Sequence, residues 1–128
     1  MLKKNTVFVI GAGASKEFGL PVGTELAIAI SDKLNIRFDD FQQKLVSGDL
    51  DLFRNVSNSR DAGVTQQAAW LIRDGIILAN SIDDFLDVHR HDEEVVRYGK
   101  AAIVKCILMI VALNIFLSTH CNDFTELV

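Results

Sequence analysis

Thr6-Val7-Phe8-Val9-Ile10, running straight into Gly11-Ala12-Gly13-Ala14-Ser15, is the stretch on which the reading of the fold turns. The first five residues have strand length. A run with no polar face suits the central strand of a parallel sheet covered by helices on both sides. Four of the eight glycines (Gly11, Gly13, Gly19 and Gly23) fall within thirteen positions, so backbone freedom is concentrated at the end of this strand. Together with the short segment Ala14 to Phe18, the turn predicts a strand–loop–helix phosphate site. Gly11 allows a tight turn, and Gly13 lacks a Cβ, so a pyrophosphate can approach its backbone. The N–H groups of Ala14 and Ser15, with the positive end of the helix dipole, then meet the anion. The Ser15 hydroxyl adds one more donor.

Two familiar nucleotide motifs are excluded. The dinucleotide fingerprint G-x-G-x-x-G needs a third glycine where this chain has Lys16, which removes most support for a hydride-transferring oxidoreductase. No G-K-[ST] follows, so the stretch is not a P-loop. A plain helix-start turn with a capping serine would account for two glycines alone.

The residues beyond Ser15 add to the pattern. Gly11-Ala12-Gly13-Ala14-Ser15, three spacers, then Gly19-Leu20-Pro21 resembles the NAD-binding opening of the sirtuin family. The chain is most similar to the bacterial sirtuin-like proteins, many of which cleave NAD in antiphage defence. In that subgroup a stretch similar to Ser81-Ile82-Asp83-Asp84-Phe85-Leu86 lies downstream, followed by one similar to Gly99-Lys100-Ala101-Ala102-Ile103. The resemblance spans about residues 6–110, and only the first motif is specific. It implies that Gly11, Ala12, Gly13, Ala14 and Ser15 hold the NAD phosphates, and that Gly19, Leu20 and Pro21 start a loop on the nicotinamide side. Val22-Gly23-Thr24 stands where deacetylating sirtuins carry a phenylalanine-arginine pair, and zinc-binding CxxC pairs are missing. Both departures point away from lysine deacetylation.

The family breaks the nicotinamide–ribose bond with a later Asn-x-Asp segment and a later histidine, which stabilise an oxocarbenium-like ribose. No matching segment occurs. Asn114 is followed by Ile115-Phe116 and does not fit, so no catalytic residue is assigned. The expected fold is therefore α/β. Residues 1–128 read as the N-terminal portion of a Rossmann-like sirtuin-type domain, truncated at the C-terminal side, with one clear parallel strand followed mainly by helices. One strand cannot make a parallel sheet, so its partners are expected from a missing C-terminal part of the same protein or from a second copy.

Downstream, Thr24 is a candidate N-cap for a helix carrying Leu26, Ala27, Ile30 and Leu34. Phe38, Phe41, Leu45 and Val46 predict a second helix over 38–46. The Ser-, Asn- and Asp-rich stretch 48–63 predicts a loop with a short turn. Helices are expected over 65–77, over 82–88 after a Ser81 cap, and from about 91 to 117. Ala101 to Leu117 is apolar except for Lys105 and Asn114. A membrane span needs about 20 such residues, and a central lysine costs about 3 kcal/mol, so a buried helix is expected.

Composition agrees with a folded domain. Hydrophobic residues make up 49% and charged residues 23%, with a single proline. The net charge of −4 is the wrong sign for wrapping a duplex or coating an anionic membrane, so neither nucleic acid nor membrane is an expected partner. Only four apolar residues separate the first polar stretch from Gly11, too few for a secretory signal, which points to a cytoplasmic protein. Cys106 and Cys121 form no CxxC pair and support no structural zinc.

His89 and His91 among Asp87, Asp92, Glu93 and Glu94 read as a solvated helix junction rather than a metal site. Adjacent His120 and Cys121 do not share a helix face and make no nucleophile pair. Asp83 and Asp84 read as dipole partners of a helix start, Trp70 as core or interface, and Cys106 as an inert buried thiol. The expectation is an NAD- or ADP-ribose-binding protein whose intact form cleaves NAD. The alternative is a non-catalytic helical interaction or regulatory module using the apolar 101–117 face.

Overall fold

A computed structural model describes residues 16, 17, 19–39, 44–58 and 60–125. In chain order the elements are α1 (Thr24–Leu34), β1 (Arg37–Phe38), β2 (Leu45–Ser47), α2 (Leu50–Ser57), α3 (Ala62–Gly75), α4 (Ile82–Val88) and α5 (Glu93–Thr125). The first half of α5 is the hub against which α1, α2, α3 and α4 pack.

This overturns the α/β expectation. The described residues are mostly helical, and their only sheet is a two-strand antiparallel pair, β1–β2. A Rossmann-like parallel arrangement is therefore not the fold. The physical reason lies in the core. Ile30 and Leu34 of α1, Ile72 of α3, and Val95, Tyr98 and Ala102 of α5 are fully buried, so the core of the described residues closes helix on helix. The expected strand at 6–10 lies outside the described residues.

Two further expectations fail locally. The helix expected over 38–46 gives way to the hairpin, with Arg37 opposite Ser47 and Phe38 opposite Leu45. Ile36 is buried, Arg37 exposed and Phe38 half-buried, which is the period-two alternation of a half-buried strand. Phe38 meets Phe53 edge-on with ring centroids 5.6 Å apart. Inside the stretch expected to be a loop, α2 forms because Leu52, Phe53 and Val56 make one apolar stripe. The Asp49 side chain caps it, accepting from Leu52 N–H at 2.9 Å. Gly48 makes the turn before it at φ 91°, where a Cβ would lie 2.6 Å from Ile36 Cδ1.

Other expectations hold. α4 occupies Ile82–Val88, and Ser81 Oγ accepts from Asp84 N–H at 3.1 Å. α3 begins three residues earlier than expected, after an Asp61 cap. The long helix begins just after Asp92, whose Oδ1 accepts from the N–H groups of Glu94 and Val95, each at 3.1 Å.

The buried-helix expectation for 101–117 holds only for its first third. Ala102 and Cys106 are in the core, but Leu108, Ile115 and Phe116 are 61%, 60% and 55% exposed. From Glu93 to Thr119 the helix is long and apolar enough to cross a membrane by length and composition. A patch of this size rarely persists bare on a soluble monomer. In buffer without detergent the chain is expected to associate. A single monomeric species in size-exclusion chromatography with light scattering would contradict this.

Tyr98 supplies a second local test. Its ring is fully buried on α5, and its hydroxyl, held well above the usual tyrosine range by burial, has no hydrogen-bond partner among the described residues. Leaving a buried polar group unsatisfied costs about 1–3 kcal/mol. Tyr98→Phe is therefore expected to raise the unfolding midpoint in urea, by about 1 kcal/mol of stability. A loss of stability would show that the hydroxyl is satisfied in solution.

Candidate functional site

The sequence-predicted site divides in two. Gly11, Ala12, Gly13, Ala14 and Ser15 lie outside the described residues, whereas Gly19, Leu20 and Pro21 lie within them. Gly19 sits at φ 71°, the left-handed region that glycine enters without steric cost. Its N–H donates to Lys16 C=O at 2.9 Å, closing a tight turn. Leu20 and Pro21 are half-buried and lead into α1.

Thr24 is the first residue of α1 rather than its cap. Gly23 takes the cap position at φ 51°, with no side-chain cap hydrogen bond. A threonine in that backbone conformation would be strained, which explains the one-residue shift. Among the described residues nothing lies within 4 Å of where a Cβ on Gly23 would stand. Glu25 occupies that turn and pairs with Lys16 at 4.0 Å, both side chains largely exposed. A carboxylate there opposes a phosphate at the α1 N-terminus.

The start of α1 faces the start of α4. Gly23, Thr24 and Ala27 line a narrow cleft with Ile76, Asn80 and Ser81. Its volume of about 50 Å³ admits a few waters and no nucleoside. The fold thus brings the segment after Gly19-Leu20-Pro21 beside the Ser81 end of the second motif.

That second motif acquires a packing role that sequence reasoning missed. Phe85 and Leu86 are its buried residues. A Cβ on Gly75 of α3 would stand 2.5 Å from Phe85 Cε2, and one on Gly99 of α5 would stand 2.5 Å from Leu86 Cδ2. The two glycines are the notches into which α4 locks. Leu86 therefore joins the Ser81–Leu86 stretch to the Gly99–Ile103 stretch through direct contact. Asp83 and Asp84 stay exposed in the first turn of α4, where negative charge complements the helix dipole.

A buried polar cluster was also missed. Glu94 is 9% exposed and accepts from Thr65 Oγ1 at 3.0 Å, from Arg60 Nη1 at 3.1 Å and from Arg97 Nη2. Burial pulls its carboxyl upward, but the hydrogen bonds from Arg97 and Thr65 and the charges of Arg97 and Arg60 outweigh that and hold it below the usual glutamate value. In sequence Glu94 reads as a helix-start acid, and only its spacing from distant Thr65 makes the cluster. The arrangement ties α3 to α5.

The remaining candidates behave structurally. His89 Nδ1 lies 2.9 Å from Phe85 C=O, and the ring stacks on Phe85 at 4.3 Å. The carbonyl can only accept, so Nδ1 carries the proton and donates. Trp70 is half-covered, donates Nε1–H to Ile36 C=O at 2.9 Å, and lies beneath Arg73. Burial pushes the Cys106 thiol up, which keeps it protonated and a poor nucleophile. The side chains of His120 and Cys121 lie outside the described residues. Among the described residues no three His, Cys, Asp or Glu side chains are placed to hold a metal ion. No family model, no curated protein and no solved structure matches the chain.

Proposed function

We propose that the chain binds NAD or ADP-ribose, with the diphosphate at Gly11–Ser15 and the Gly19–Pro21 turn bordering it. The observation that carries this reading is the pattern Gly11-Ala12-Gly13-Ala14-Ser15, three spacers, Gly19-Leu20-Pro21. The left-handed Gly19 turn supports it, because this position demands the residue the pattern supplies. Backbone N–H groups in a glycine-rich turn can cradle an anion without a parallel sheet behind them, so the helical fold does not conflict with the reading. The proposal extends to an intact protein that carries this segment and cleaves NAD to nicotinamide and ADP-ribose in antiphage defence. No residue of this chain is assigned to that bond cleavage. The site's missing partners would come from further sequence of the same protein or from a second copy, in the cytoplasm.

Isothermal titration of the wild-type chain with ADP-ribose tests the reading. Saturable binding is the expected result, and its absence from a folded chain overturns the assignment.

The exposed apolar surface of α5 favours a second reading, a helical interaction module without nucleotide. It predicts self-association or partner binding that ADP-ribose does not affect.

A further inference from the structure

One side of α5 carries an ordered apolar stripe. Ala101, Val104, Leu108, Val111 and Ile115 follow one another at spacings of three, four, three and four, the alternation of a and d positions in a coiled coil. At 3.6 residues per turn these five share one face, turned away from the face of Val95, Ala102 and Cys106 that enters the chain's own core. Val104, Leu108, Val111 and Ile115 are all exposed. At its near end the stripe forms one wall of a groove of about 460 Å³, and Leu52 and Val56 of α2 form the other. A stripe with this spacing is shaped to take a helix.

We propose that the occupant is α5 of a second copy, running antiparallel, so that the α2–α5 groove of each copy seats the far end of the other's helix. The spacing from Val104 to Ile115 is four, three, four in either direction. A two-fold axis between Met109 and Ile110 therefore sets Val104 level with Ile115 of the second copy, and Leu108 level with Val111. Such self-complementarity is what an isologous interface requires. Charge selects the direction. Arg97, Lys100 and Lys105 line the groove, and no charged residue lies between Lys105 and Leu117. A parallel pair would hold the lysines of both copies at the same level, where they repel. The antiparallel pair separates them and brings Arg97 and Lys100 toward the last turn of the other α5, the negative end of its dipole. A bilayer suits the stripe less well. The core holds α5 as far as Cys106, and from Ile107 to Leu117 the helix rises only about 17 Å, against about 30 Å of hydrocarbon. The inference goes beyond the nucleotide reading and does not depend on it.

Sedimentation equilibrium, with circular dichroism of each protein to confirm its helical content, tests the pairing. The wild type is expected to be a dimer. Val111→Glu and Ile115→Glu each bury a carboxylate in the seam and are expected to raise the dimer dissociation constant at least about a hundredfold. Leu113→Glu, on the other side of the helix, should leave it unchanged. A monomeric wild type, open-ended aggregation, or an equal effect of Leu113→Glu would overturn the seam. Direction is read by disulfide trapping in a Cys121→Ser background. Val104→Cys mixed with Ile115→Cys should cross-link, and neither should cross-link alone. Cross-linking of Val104→Cys to itself would show a parallel pair and sink the proposal.

Discussion

Phe85→Ala lowers the free energy of unfolding by about 3–5 kcal/mol, the range for deleting a buried aromatic ring. The ring is 5% exposed and fills the notch above Gly75, where the backbone of α3 comes close enough that a Cβ would overlap it at 2.5 Å. A glycine cannot move a side chain into the void, so the cavity stays open and the loss falls at the upper end of that range. The His89 ring loses its stacking partner as well, although the Phe85 carbonyl that accepts from His89 Nδ1 remains. Domains of this size are stable by only about 5–15 kcal/mol. The substitution therefore removes a large share of the total. Urea denaturation followed by circular dichroism at fixed protein concentration should show a lower midpoint with an unchanged slope. A loss below about 1 kcal/mol would mean that α4 is not locked into α3 in solution, since a surface ring costs no more than that.

The contrast with sequence reading is instructive at this helix. Ser81, followed by acids and by Phe85-Leu86, announces the cap and extent of α4 directly, because capping is a local rule. The notches at Gly75 and Gly99 depend on which helices approach each other, and no local rule reports that. The hairpin was illegible for a related reason. Phe38, Phe41, Leu45 and Val46 fit a helical period, and only the antiparallel pairing of Arg37 with Ser47 decides for strands. α2 hid behind Asp49, Asp51, Asn55 and Ser57, which look like loop residues. Its signal was present in the Asp49 cap followed by Leu52, Phe53 and Val56. The fold class failed because a single apolar run was extended into a sheet, whereas the core closes through α1, α3 and α5. Of the candidate site, the resemblance marked Gly19-Leu20-Pro21 as the start of a loop, and the left-handed turn at Gly19 emerges only in the structure. The packing of the Asn114 amide against Gly19 was not legible, since it joins residues at opposite ends of the chain.

Gly13→Val abolishes ADP-ribose binding, with a loss of at least about a hundredfold, or about 2.7 kcal/mol. A diphosphate held by backbone N–H groups must come within about 3 Å of the main chain, and a branched side chain on the middle glycine occupies that approach. The effect should exceed that of Ser15→Ala, which removes one hydroxyl donor and costs about 0.5–1.5 kcal/mol. That order discriminates between two chemistries. If backbone amides carry the anion, the glycine matters more than the serine. If the serine hydroxyl carries it, the order reverses. A thermal melt of Gly13→Val, run beside the titration, separates lost binding from lost folding. Unchanged affinity in Gly13→Val would sink the backbone cradle. In that case the glycines before Lys16 serve only to turn the chain, and the apolar surface of α5 becomes the feature to which a function must be attached.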